Sequence, residues 1–83
     1  MSENPLLVEL SIPNKDIKFI TVNMLCRNLK NIDIQNNKLE SLPEEIGDLL
    51  FLERLKLDHN LLKRLPANVR CLSHLSSLSF SNN

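Results

Sequence analysis

The sequence predicts an α/β solenoid with one parallel sheet, and three observations predict it. The first is a 23-residue self-similarity. Leu29, Ile32, Ile34, Asn37, Leu39, Leu42, Pro43, Ile46 and Leu49 reappear as Leu52, Leu55, Leu57, Asn60, Leu62, Leu65, Pro66, Val69 and Leu72. A third copy begins at Leu75, Leu78, Phe80 and Asn83. A fixed period of this length marks units that bury their apolar faces only against their neighbours. The second observation is period-two alternation early in each copy, and the third is a shift to spacings of three or four afterwards.

In chain order, residues 1–28 form a degenerate first repeat or amino-terminal cap. Leu7, Leu10, Ile12, Ile17 and Ile20 fit the template with a 22-residue step to Leu29, and the position equivalent to Asn37 then falls on Lys15, beside Asn14. Leu7 to Ile12 is expected as an edge strand, with Pro13, Lys15 and Lys18 discouraging further pairing. Residues 29–83 hold two complete repeats and a third that stops at Asn83.

Each complete repeat divides into strand and return. Between Arg54 and Asp58, Leu55 and Leu57 point inward while Arg54, Lys56 and Asp58 point out, as a strand with one buried face requires. Leu62, Leu65, Val69 and Leu72 follow at spacings a strand cannot sustain, so the chain turns back over the core. That return supplies the crossover parallel strands need. Pro43 and Pro66 mark the start of a short helix or 3-10 turn, where a missing N–H costs nothing. Glu44 and Glu45 suit the positive end of that turn, and Ser41 with Glu44 has capping-box spacing. Asn37, Asn60 and Asn83 each fall just after a strand, where the chain turns inward and backbone groups lose their partners. An amide side chain both donates and accepts there, so one per repeat makes a structural ladder.

The run Leu29-x-x-Ile32-x-Ile34-x-x-Asn37-x-Leu39-x-x-Leu42-Pro43-x-x-Ile46-x-x-Leu49 resembles the leucine-rich repeat family. Its Leu-Pro-x-x-Ile form is similar to the 23-residue intracellular class found in Ras-binding scaffolds, Ras-suppressor proteins and polarity scaffolds. The resemblance covers Leu29 to Asn83. It implies a leucine-rich repeat solenoid with the parallel sheet on its concave side, short helical or 3-10 turns on its convex side, and protein binding by the concave side. Small GTPases or their regulators are the partners it implies.

Composition narrows the function. Ten basic and ten acidic residues cancel in 83 positions, so the basic footprint of a nucleic-acid binder is missing. No apolar run approaches the roughly 20 residues that span a bilayer. Met1 to Pro5 is polar and Glu9 interrupts Leu6-Leu7-Val8, which leaves no signal-peptide core. A cytoplasmic, intracellular protein is expected. Cys26 and Cys71 lie on return segments two rungs apart, near ~10 Å at the usual strand spacing; a disulfide needs about 7 Å or less, so both are expected as free, mostly buried thiols. Catalytic readings find little support. A phosphate-cradling loop needs several glycines, and Gly47 is the only one. His59 and His74 have no Cys or second His at metal spacing. Cys26 and Cys71 fall on the apolar side, away from any positioned base, and Glu44 with Glu45 is explained by the turn. No enzyme, cofactor or metal site is expected.

Function is therefore placed on the residues projecting from the sheet. They form columns: Asn31, Arg54, Ser77; Asp33, Lys56, Ser79; Gln35, Asp58, Ser81; and Asn36, His59, Asn82, flanked by Lys30 and Glu53. Asn31, Asp33, Gln35, Glu53, Arg54, Lys56, Asp58 and His59 are the candidate partner-binding set. Arg54 leads it, since Arg is enriched at binding hot spots. An Asp33–Lys56 pair across adjacent strands would contribute about 0–1 kcal/mol. A bland solvated face competes with this reading. Four strands ~17 Å long give a patch of roughly 300 Å² against about 800 Å² for a stable interface, so weak binding is expected. Leu75, Leu78 and Phe80 lack a covering rung, which predicts a fragment of a longer repeat protein or self-association through the uncapped carboxy-terminal end. Two further readings stand beside the scaffold or adaptor module. One is the targeting region of a larger signalling enzyme whose catalytic domain lies outside this chain. The other is part of an extracellular receptor, which a cysteine-rich amino-terminal cap would mark; Met1 to Asn28 holds only Cys26.

Overall fold

Four three-residue strands, β1 (Glu9–Ser11), β2 (Asn31–Asp33), β3 (Arg54–Lys56) and β4 (Ser77–Ser79), alternate with three 3-10 turns, η1 (Val22–Met24), η2 (Glu44–Asp48) and η3 (Ala67–Cys71). This computed structural model describes residues 7–83. The polar start from Met1 to Pro5, with Leu6, lies outside the described residues, as does that part of the expected first repeat. The strands make one parallel sheet in chain order, β1-β2-β3-β4. Register follows the repeat without a slip: Leu10 pairs with Ile32, Ile32 with Leu55 and Leu55 with Leu78. A one-residue slip would turn every leucine to solvent, so the buried face holds the register.

Short strands suffice because the rungs continue beyond them. Ile12, Ile34 and Leu57 donate their N–H groups to the carbonyls of Asp33, Lys56 and Ser79 at 2.9, 3.0 and 2.8 Å. Asn14, Asn36 and His59 donate in turn to Gln35, Asp58 and Ser81 at 3.1, 3.0 and 3.0 Å. Asn14, Asn36, His59 and Asn82 also share a left-handed backbone, with φ of 57, 55, 56 and 57°. Asn and His tolerate that region better than most side chains, which explains why these residue types recur one step before the ladder. The turn at each of them swings the next residue's amide under the sheet end.

There Asn60 is 4% exposed and makes four bonds. Its Nδ2 donates to Ile34, Leu57 and Asp58 carbonyls at 2.9, 3.1 and 3.3 Å, and its Oδ1 accepts from Leu39 N–H at 3.1 Å. Asn37 donates to Ile12, Ile34 and Gln35 carbonyls and accepts from Lys15 and Ile17 N–H. Asn83 donates to Leu57, Phe80 and Ser81 carbonyls and accepts from Leu62 N–H. At the β1 rung Lys15 occupies the equivalent place. It contributes its backbone N–H instead of an amide side chain, which leaves the exit of β1 without an amide of its own.

Beneath the sheet, Leu29, Ile32, Ile34, Leu39, Ile46, Leu49, Leu52, Leu55, Leu57 and Leu62 are at most 1% exposed. Leu25 and Cys26 join them from the return before β2. The core thins outward: Leu65, Val69, Leu75 and Phe80 are half-buried and Leu78 is 45% exposed.

Three expectations are corrected, and the open choice between short helices and 3-10 turns resolves to the second. The expected strand from Leu7 to Ile12 shortens to Glu9–Ser11, with Ile12 still bonded to the β2 side. All three returns are 3-10 turns, and the described residues hold no α-helix. No capping box forms at Ser41, because Pro43 holds the cap position of η2 with extended backbone and without a side-chain cap bond; Ser41 lies two residues outside it. Cys71 is exposed although Cys26 is buried. Twenty-three residues before Cys71 stands the exposed Asp48, whereas Cys26 shares its register with the buried Leu49 and Leu72. The two thiols therefore occupy different repeat positions.

The returns η2 and η3 lie side by side at the position of the sole glycine. A Cβ added to Gly47 would stand 2.6 Å from Asn68 Cβ and 2.7 Å from the Asn68 carbonyl oxygen. Its φ is not positive, so close approach of the next turn, and not backbone freedom, selects glycine here. Gly47→Ala should push the turns apart and cost about 1–3 kcal/mol, read as a lower urea midpoint with the far-UV spectrum retained. Asn60→Ala leaves the buried Leu39 N–H unpartnered and takes one of its two amide donors from the Ile34 carbonyl, and should cost on the order of 3 kcal/mol. For a domain this small that lowers the thermal midpoint by more than about 10 °C. A midpoint unchanged by Asn60→Ala would remove the amide from the account of the fold.

Candidate functional site

On the sheet face opposite the leucines, alternation leaves two outward residues per strand. These are Glu9 and Ser11 on β1, Asn31 and Asp33 on β2, Arg54 and Lys56 on β3, and Ser77 and Ser79 on β4. Arg54 pairs in register with Asn31 on one side and Ser77 on the other; Lys56 pairs likewise with Asp33 and Ser79. Glu9, Arg54, Lys56 and Ser77 are exposed, while Asn31, Asp33 and Ser79 are half-buried. Glu9, Ser11, Asn31, Ile32, Asp33, Arg54 and Lys56 line a depression of about 100 Å³ on this face.

Charge on the face is ordered, with carboxylates on β1 and β2 and cations on β3. The expected Asp33–Lys56 ion pair does not close. Among the described residues the one ion pair within 4 Å is Lys38–Asp16, at 3.6 Å. Asp33 instead turns its Oδ1 to the Gln35 N–H at 3.2 Å and the Gln35 Nε2 at 2.8 Å. This local bond occupies Gln35 as well, so the candidate set loses a free amide at that position.

Asp58, past the end of β3, is also occupied within the chain. Its Oδ1 accepts from the Ser81 N–H at 2.7 Å and the Ser81 hydroxyl at 2.9 Å, and its Oδ2 accepts from the Ser79 hydroxyl. The Ser79 hydroxyl bond, aided by the Ser81 bonds and the neighbouring His59, holds the Asp58 carboxyl below the usual aspartate value, against a smaller opposing effect of burial. Asp58 thus ties the exit of β3 to that of β4. His59 is exposed, and its Nε2 lies 3.5 Å from Asn82 Nδ2. Glu53 is exposed just before β3, and its carbonyl accepts from the N–H groups of Ser76 and Ser77 at 2.9 and 3.1 Å and from the Ser76 hydroxyl at 3.2 Å. Of the eight candidates, the structure gathers Asn31, Asp33, Arg54 and Lys56 round one depression. Gln35 and Asp58 are engaged internally, and Glu53 and His59 stand at opposite ends of β3.

No group of three or more His, Cys, Asp or Glu side chains among the described residues is arranged to hold a metal. No helix among them is long and apolar enough to cross a membrane.

A second surface escaped the sequence reading. Val8, Asn28, Lys30 and Phe51 line a shallow hollow of about 330 Å³ at the leading ends of the strands, where Leu50 and Phe51 are each more than half exposed. The signal was present in the repeat itself. The positions of Leu50 and Phe51 carry Arg27 and Asn28 one repeat earlier and Ser73 and His74 one repeat later, so the middle repeat alone places large apolar side chains there.

Comparison with known proteins gives short matches. The chain is 42% identical over 41 residues to the plant intracellular Ras-group-related LRR protein 7 of Oryza sativa subsp. japonica, covering 49% of this chain and 16% of that protein. It is 38% identical over 58 residues to the probable serine/threonine-protein kinase DDB_G0278509 of Dictyostelium discoideum, covering 69% and 5%. To a leucine-rich repeat and calponin homology domain-containing protein of Drosophila melanogaster it is 41% identical over 44 residues, covering 53% and 5%. This chain thus spans at most about a sixth of these relatives. No family model and no solved structure matches it.

The Asp58 carboxyl should titrate below the usual aspartate value of about 3.9. A depressed folded-state value means that its stabilising contribution is fully present above the unfolded value and is lost as pH falls through the folded one. Ser79→Ala should move the titration back upward, as read from the Asp58 side-chain carbon shift in an NMR pH series. A titration that does not move would leave the Ser79 bond without energetic weight.

Proposed function

We propose that this chain is a non-enzymatic protein-interaction module of the 23-residue leucine-rich repeat type, a solenoid whose sheet forms the concave, partner-binding side. The observation that carries it is the register of the outer face. Strand after strand offers polar or charged side chains at every outward position of an open sheet, above a core of stacked leucines. The names of two relatives carry the words leucine-rich repeat or LRR, in keeping with the 23-residue spacing. A scaffold or adaptor role in signal transduction follows, with a small GTPase or its regulator as the protein partner. The kinase relative is matched over 5% of its length, so its catalysis is not carried to this chain.

Cytoplasmic placement fits a chain with an exposed, unpaired Cys71 and an intracellular-named relative. Self-association belongs to the same reading. The outer edge of β4 is unpaired in the sheet order, and unpaired edges invite another chain. Leu78 beside that edge adds apolar surface.

The test is titration of the isotope-labelled chain with a Ras-group GTPase loaded with GDP or with a non-hydrolysable GTP analogue. Amide shifts are expected at Asn31, Arg54, Lys56 and Ser77 in one nucleotide state, and Arg54→Glu should abolish them without changing the thermal midpoint. Shifts confined to the return turns, or none, would remove the GTPase and the face from the account. Concentration-dependent broadening of β4 amides without any partner would report self-association.

A further inference from the structure

We infer that the depression between β1 and β3 recognises a protein segment carrying one acidic and one basic side chain, the acid over Arg54 and Lys56 and the base over Glu9 and Asp33. This rests on the sheet face being the interaction surface, and it names the chemistry of what is bound there.

Three observations carry it. Arg54 and Lys56 leave the same strand on the same side, exposed, and among the described residues neither has a carboxylate within 4 Å. Asp58, farther along the chain from both, is consumed by Ser79 and Ser81, so the cations at the centre of the face have no internal anion to hold. Glu9 and Asp33, which line the same depression, sit two strands and one strand away respectively, at about 10 and 5 Å. The face is therefore split by sign across neighbouring strands, and its complement must be split in the opposite order.

The split also selects among anions. A carboxylate carries one charge and matches the planar fork of Arg54. A phosphate monoester carries nearly two and would be placed beside two fixed carboxylates, and a nucleic acid would bring a row of single negative charges with no cation among them. A segment bringing its own cation neutralises those carboxylates, and a phosphate alone does not. Ser77 and Asn31 flank Arg54 in register and offer a hydroxyl and an amide to the same acidic group.

The test is selection of random 12-residue peptides, displayed multivalently so that avidity offsets weak single-site binding, against four versions of the chain. Wild type should enrich peptides that pair an acidic with a basic residue at a fixed spacing. Arg54→Gln with Lys56→Gln leaves only carboxylates and should enrich basic peptides. Glu9→Gln with Asp33→Asn leaves only cations and should enrich acidic ones. Asn31→Trp fills the depression and should lower retention of the wild-type pool at least tenfold. Circular dichroism of each variant confirms the fold. Peptides lost on Asn31→Trp but without charge bias, or with the same bias for all variants, would overturn the charge reading and keep the face. Peptides indifferent to Asn31→Trp, or no enrichment over that variant, would overturn both.

Discussion

The rest of the structure depends on one constraint: at the exit of each strand the backbone must turn inward without leaving buried N–H and carbonyl groups unpaired. A buried unpaired group costs about 1–3 kcal/mol, which a domain of this size cannot absorb repeatedly. Asn37, Asn60 and Asn83 meet the constraint with a side chain that donates and accepts at once, each reaching carbonyls of its own rung and of the previous one. Because the bond set of each amide spans two rungs, it fixes the spacing of the rungs. The same bonds support the register that the buried leucines hold, with leucines below the sheet and polar side chains above it. The polar outer face is in this sense a by-product of how the strand ends are satisfied.

The left-handed residue just before each amide makes this geometry possible. Asn36, His59 and Asn82 turn the chain there, so His59 has a backbone reason to be at its position in addition to any surface role. The same economy appears in the returns. Proline starts η2 and η3, 3-10 geometry keeps them short, and glycine at 47 lets the second lie directly against the first. Crossovers this brief fit a 23-residue repeat; two-turn α-helices would lengthen it.

Much of this was legible in the sequence because the repeat supplies its own alignment. Leu55 and Ile32 had to be inward neighbours once Asn60 and Asn37 were matched, and the columns on the face followed from counting. What stayed hidden was set by side-chain choices that counting does not reach. Asp33 turns to Gln35, two residues along its own chain, and not to Lys56 across the strands, because the local bonds to one main-chain and one side-chain N–H need less ordering than a long lysine does. Cys71 faces solvent because the two cysteines are 45 residues apart, one short of two full repeats, and that single residue moves it from a core position to an exposed one. Ser41 has the spacing of a cap, yet proline starts the turn two residues later.

The loss of internal partners at Arg54 and Lys56 follows from the same local preferences. Each carboxylate near the sheet's exit end finds its donors along the chain or one rung ahead: Asp33 in Gln35, Asp58 in Ser79 and Ser81. Serine and glutamine thus compete with arginine and lysine for the acids. A short hydroxyl or amide held by the rung geometry pays less side-chain entropy than a four-carbon cation must. Asp58 and one oxygen of Asp33 are satisfied by neutral donors, and the cations are left facing outward. A surface built this way holds charges of opposite sign on neighbouring strands without letting them close on one another.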